Sequence, residues 1–322
     1  MPGMKYLGCA LTLMALALDS GCSGDMRPQP VRIPSATVPR FVRVKVSPNT
    51  PPVRVPLEEY VRGTILSEFA PPSGDPADIE RMLEVQAVIA RTYAAAHVGR
   101  HQRDGYDLCS TTHCQLYQPG RLKTSSWARL AVEASENTSS QILWFKSAPA
   151  RALFHADCGG HTSSATDIWG GTVRPYLAGL ADDGAAGSAH VTWRYEVGRD
   201  ELLAALNADP RTRVGKSLRD ISVTQRDSAG RAMLVVLNGS RAPVVRGEEL
   251  RAVLTRTFGA KAIRSTRFHV TRSGQRFVFT GQGYGHGVGL CQAGAYARLK
   301  AGARPEQVLT RYYPGTRLIV MR

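Results

Sequence analysis

The spacing of apolar residues changes period along this chain, and each change marks an element. Valine alternates with charged residues in FVRVKV at 41–46, the period of two that a half-buried strand requires. From Pro56 to about Phe69 the period becomes helical, and a second helix begins at Asp75-Pro76, an N-cap residue followed by proline at the first helical position. Its apolar stripe comprises Ile79, Met82, Leu83, Ile89, Ala90 and Tyr93. Beyond about 140 the apolar runs shorten to QILWF, RALFHA, MLVVL and RFVFT, broken by Gly, Ser and Asn, and read as strands. Short helices fit 200–206 and 247–258, and two more follow Gly289 and Pro305. The pattern predicts an α+β fold, one main domain over 41–322 with an elaborated middle.

One run departs from both periods. Residues 281–296 read GQGYGHGVGLCQAGAY, with glycine at every second position from Gly281 to Gly289. As a strand it would leave one face bare and set Gln282, Tyr284, His286 and Val288 in a row on the other. No dinucleotide-loop register fits it. We expect it on a groove floor, with His286 facing a ligand.

Composition adds an address. The 322 residues carry a formal net charge of +15, which suits a polyanionic partner such as an acidic wall polymer. No block of five like charges occurs, which argues against nucleic acid. One Lys and an apolar run from Tyr6 to Leu18 open the chain, too short for a membrane span but fit for an export signal over 1–24. Two processing readings stand: lipid attachment at Cys22, against which Asp19 is an unusual neighbour, or plain cleavage near 21–24. In either case the mature protein is exported, with no transmembrane helix. A proline-rich tether over 25–40 would follow.

Chemistry-bearing residues stand out in three places. At roughly 100° per residue, Val61, Ile65 and Glu68 fall within about 80° of Leu57, so Glu68 shares the apolar stripe while Glu58, Glu59 and Arg62 do not. A carboxyl on a buried face loses solvation and its pKa rises towards neutrality, where it can act as a general acid. Arg91 falls on the polar side of the next helix and reads as solvated, whereas Gln86 and Tyr93 fall on its stripe and need partners. Six cysteines are present, and four lie beyond the signal region. CSTTHC (109–114) and FHADCGGH (154–161) offer Cys109, His113, Cys114 and Cys158 as a zinc set. The competing reading is a disulfide among the same thiols, with Cys291 an unpaired buried thiol. Trp169, Tyr176, Trp193 and Tyr284 could stack on sugar rings or fill a core, and Arg174, Asp182 and Asp183 could line a groove or its rim.

Four segments taken together resemble the SpoIID/LytB family of bacterial cell-wall proteins. They are VPLEEYVRGTILSE with EVQAVIARTYA, TTHCQLY, ALFHADCGGHT with PYL, and GYGHGVGLCQAGAY with YYPGT. The likeness covers roughly 40–320, in the family's order. It implies a SpoIID-like domain that cleaves peptidoglycan glycan strands as a lytic transglycosylase, or an enhancer of a cell-wall amidase built on the same fold. The family's V-x-G-x-x-x-x-E block places the catalytic glutamate on Glu68, and its A-R-T-Y block places Arg91 in the same neighbourhood. Tyr176, Tyr284 and His286 would position glycan. A structural zinc is implied around Cys109, His113 and Cys114. Where members often read S-G-G this chain has Cys158-Gly159-Gly160, leaving the ligand set open between a metal and a disulfide.

Overall fold

The computed structural model describes residues 31–32, 38–184, 188 and 192–321. The expected export signal lies outside them, as does most of the tether. Val31–Arg32, within the expected tether, pairs in parallel with Ile319 and Val320, so this part is a sheet edge rather than a free linker.

Two helices organise the first core. Helix α1 (Leu57–Glu68) follows Pro56, and α2 (Pro76–Ala96) begins where Asp75 Oδ1 accepts the Ala77 N–H at 2.8 Å. Both begin within a residue of the expected start, and α1 ends a residue before Phe69. Val61, Ile65, Ile79, Met82 and Leu83 are all fully buried and join Val288, Leu290, Val308 and Tyr312 in one cluster. Four further elements surround it: Ala128–Asn137 and Gln141–Phe145 on one side, Gln292–Lys300 and Pro305–Tyr312 on the other. A small sheet of Phe41–Lys45, Val53–Pro56 and Leu108–Cys109 closes the end near α1.

The elaborated middle has its own core. Trp193–Gly198, Arg276–Gly281 and Phe268–Ser273 form one three-stranded antiparallel sheet, and Leu218–Arg226, Ala232–Gly239 and Val244–Arg246 form another. Helices Arg199–Asn207 and Gly247–Phe258 pack with them around Leu202, Leu206, Val235, Phe268, Phe277 and Phe279. Trp193 belongs to this core, 6% exposed, which removes it from the sugar-stacking candidates. The module is inserted between 154–177 and 288–313, two stretches of the first core that lie together in space.

The glycine run is not the strand its alternation predicts. Gly283, Gly285, Gly287 and Gly289 all have positive φ, between 72° and 103°, so every second residue turns the chain out of the pleat. Between Gly281 and Leu290 pairing survives only as bridges, Tyr284 with Asp157 and Val288 with Ser163. The glycines serve close approach: a Cβ on Gly287 would collide with the buried guanidinium of Arg231.

Candidate active site and metal centre

A groove of about 980 Å³ runs between the two cores, and most segments singled out in the sequence contribute to it, the arginine block through Tyr93 rather than Arg91. Glu68 enters from the last turn of α1. Trp169 and Arg174 come from the region after Cys158, and Tyr284 and His286 from the glycine run. Arg251, Thr255 and Arg256 of the inserted module's helix Gly247–Phe258 form part of the opposite wall. Glu68 is the sole carboxylate among the described lining residues, which also include Arg100, Arg151, Arg174, Arg251 and Arg256.

Glu68 is mostly buried, and loss of solvation pushes its carboxyl from 4.5 up to about 7, opposed by a hydrogen bond that Oε1 accepts from the Leu116 N–H. The helix end is fixed from behind. Gln292 Nε2 donates to the Glu68 carbonyl at 3.1 Å and to Gln86 Oε1 at 3.0 Å. This supplies the partner that Gln86, fully buried on the α2 stripe, requires. Tyr93 finds its own in Arg100, which donates to its hydroxyl at 3.2 Å.

His286 is half-buried in the wall, its Nδ1 accepting the Val288 N–H at 3.0 Å, with the Trp169 ring 5.1 Å away. Burial, reinforced by Arg251 and Arg231, lowers its pKa to about 3. It is therefore a neutral imidazole at any working pH. Trp169 is 45% exposed beside it, a free aromatic face of the kind that stacks on a sugar ring.

Two expected site residues lie elsewhere. Arg91 is fully buried and pairs with Glu58, Nη2 to Oε2 at 2.6 Å and Nε to Oε1 at 2.9 Å, while also donating to the carbonyls of Gln141 and Ser135. It is neither solvated nor among the groove residues. The helix Ala128–Asn137 and strand Gln141–Phe145 cover the side of α2 that the wheel marks as polar, and Arg91 ties them to α1. Tyr176 is 5% exposed in the first core, packed 4.7 Å from Phe145, its hydroxyl accepting the Arg151 N–H. Like Arg91 it is a packing residue.

The four described cysteines separate into two pairs, and all four thiols are free. His101, Cys109, His113 and Cys114 bring their donor atoms within 4.8 Å of one another. His101 Nε2 lies 3.4 Å from Cys114 Sγ, and His113 Nδ1 lies 3.7 and 3.6 Å from the sulfurs of Cys109 and Cys114. Cys158 is not in this set. It sits with His155 and Cys291 in a separate, fully buried cluster, so His101 takes the place that spacing gave to Cys158. Two thiols and two imidazoles fit a closed tetrahedral zinc site. His101 Nδ1 faces the Asp104 carboxylate at 3.7 Å, the usual outer partner of a metal-bound imidazole. Burial pushes the Cys114 thiol up to about 11, so a thiolate there needs a cation and binding releases a proton. Against this, Arg100 faces His113 Nε2 at 3.3 Å and would turn aside once that nitrogen carried the proton.

Residues 50–145, which hold α1, α2 and the Cys/His cluster, match the profile of the family described as Stage II sporulation protein. Across more of its length the chain is 25% identical to Stage II sporulation protein D of Bacillus subtilis over 298 residues, covering 85% of this chain and 80% of that one. It is 26% identical over 283 residues to the amidase enhancer of the same organism, covering 73% of this chain. These matches support the resemblance to the SpoIID/LytB family. The chain spans only 37% of the amidase enhancer. It is also 28% identical over 265 residues to an uncharacterized protein of Brachyspira hyodysenteriae, covering 82% of this chain and 66% of that one. A second profile, a domain of unknown function, matches residues 185–289 and so coincides with the inserted module. The family supports a cell-wall role. No described helix is long and apolar enough to cross a membrane.

Proposed function

We propose that this protein is a peptidoglycan lytic transglycosylase, exported to the cell envelope, with Glu68 as its acid and base. The observation that carries the reading is a single carboxyl, raised to about 7, in a groove with no second carboxylate among its described lining. Hydrolytic glycosidases generally need two carboxylates, one for the leaving group and one for water or the sugar. Intramolecular transfer needs one, because the nucleophile is the muramoyl 6-hydroxyl of the substrate. Protonated Glu68 gives its proton to the departing glycosidic oxygen. The resulting carboxylate takes the proton of the 6-hydroxyl as that oxygen closes on C1, which leaves a 1,6-anhydro end and returns Glu68 to its starting form.

Neutral His286 can hydrogen-bond the glycan but adds no charge near Glu68. Tyr284 and Trp169 offer ring faces, and the groove's arginines suit a substrate carrying carboxylates. His101, Cys109, His113 and Cys114 would hold a zinc ion whose part is to fix the loop 109–116. That loop supplies the Leu116 N–H that orients Glu68. The likeness to the amidase enhancer favours a second reading, in which the same groove grips glycan while a separate amidase cleaves. Digests of purified peptidoglycan test the choice: anhydro-muramoyl ends support cleavage, and amide cleavage only when an amidase is added supports the second reading.

A further inference from the structure

We propose that Cys158 and Cys291 form an intramolecular disulfide that closes the root of the inserted module. Their sulfurs and a His155 ring nitrogen lie within 4.8 Å of one another, a gap that side-chain rotation can close to the ~2 Å of a sulfur–sulfur bond. The two residues already touch. The Cys158 N–H reaches Cys291 Sγ at 3.2 Å, and Leu290–Cys291 pairs in parallel with Phe154–His155.

A metal is the weaker occupant here. The cluster offers three donors. Asp182, 3.6 Å from the Cys158 sulfur, is already held by the Tyr312 hydroxyl and by Arg298. The guanidinium of Arg231, fully buried, donates to the Cys158 carbonyl and adds positive charge beside the site. Cys109 and Cys114, by contrast, have two imidazoles to complete their set.

The position gives the bond a purpose. All of the second core lies between residues 158 and 291, so the cross-link would close a loop of more than a hundred residues, the regime where entropy loss in the unfolded chain is largest. It would also clamp the strand bearing Phe154 and His155 to the run bearing Tyr284 and His286, all of which line the groove. The inference rests on the export reading, because the cytoplasm keeps such thiols reduced. Chemically, two thiols lose two protons and two electrons to the disulfide of a dithiol oxidase, through a mixed disulfide, and that donor leaves as a dithiol. Both cysteines are fully buried in the folded protein, so the exchange takes place before the core closes.

Peptide mapping without reduction tests it on full-length protein from two sources, one exported through an oxidising compartment and one refolded from the reduced state in a glutathione redox buffer. The expected result in both is one cross-linked species joining the Cys158 and Cys291 peptides, lighter by two hydrogens, with Cys109 and Cys114 alkylated once a chelator is present. Reduction, or the Cys158→Ser/Cys291→Ser double variant, should lower Tm by roughly 10 °C. Free Cys158 and Cys291 in both preparations overturn the cross-link. Its appearance on refolding alone overturns only its formation in the cell, and with it the export reading. One equivalent of zinc retained by the Cys109→Ser/Cys114→Ser variant overturns it in favour of a second metal site.

Discussion

Glu68→Gln should separate catalysis from stability in opposite directions. Burial raises the Glu68 carboxyl from 4.5 to about 7. The sign follows directly: an acid with a raised folded pKa favours the folded state fully below about pH 4.5, and that contribution is lost as pH rises through 7. The shift corresponds to roughly 3 kcal/mol of folding free energy at pH 8, trimmed by water on the groove's open side. Glutamine is neutral at every pH and can still accept the Leu116 N–H, so the variant should match wild type at pH 4. At pH 8 it should be more stable by about 2–3 kcal/mol, read by denaturant unfolding at both values. Glycan cleavage should meanwhile fall by roughly 10²–10⁴. In the wild type, cleavage should decline above pH 7 with Glu68 deprotonation. A variant no more stable than wild type at pH 8 would refute the claim that Glu68 is a desolvated acid.

Arg91→Ala should cost about 3–5 kcal/mol by stranding Glu58 and the carbonyls of Gln141 and Ser135, while cleavage per folded molecule stays unchanged; equilibrium unfolding and activity normalised to folded protein check both parts. One zinc per chain is expected by elemental analysis, lost in His101→Ala and Cys114→Ser but retained in His161→Ala, and chelation should lower Tm. His286→Ala should weaken cleavage at little cost in stability, and because its imidazole is neutral above about pH 3 the alkaline limb of the pH profile should stay in place. Gly287→Ala should destabilise the fold by more than ~1 kcal/mol, since φ is 82° there and the new methyl meets Arg231.

Helices proved easiest to read because their signals are local. Asp75-Pro76 caps α2, and the wheel that set Glu68 among Val61 and Ile65 was enough to find the buried acid. The same wheel failed at Arg91, since it cannot see the helix Ala128–Asn137 that covers the polar side of α2, and no cap or breaker announced that helix. Tyr176 failed for a related reason: an aromatic beside proline is equally at home in a core or a groove. His101 lies eight residues before Cys109, with no motif spacing to join them. The turn at Gly105, with φ of 82°, lets His101 and Tyr106 bridge and brings the imidazole back. In the glycine run, alternation signalled close backbone approach correctly and regular strand wrongly, because φ is not visible in composition. His286 reached the groove nonetheless.

The most direct test is mass spectrometry of peptidoglycan glycan strands digested with wild-type protein and with Glu68→Gln, no amidase present. Acid–base catalysis by Glu68 yields 1,6-anhydro-muramoyl ends from the wild type and none from the variant. Strands left intact by both, or anhydro ends formed equally by both, would contradict it.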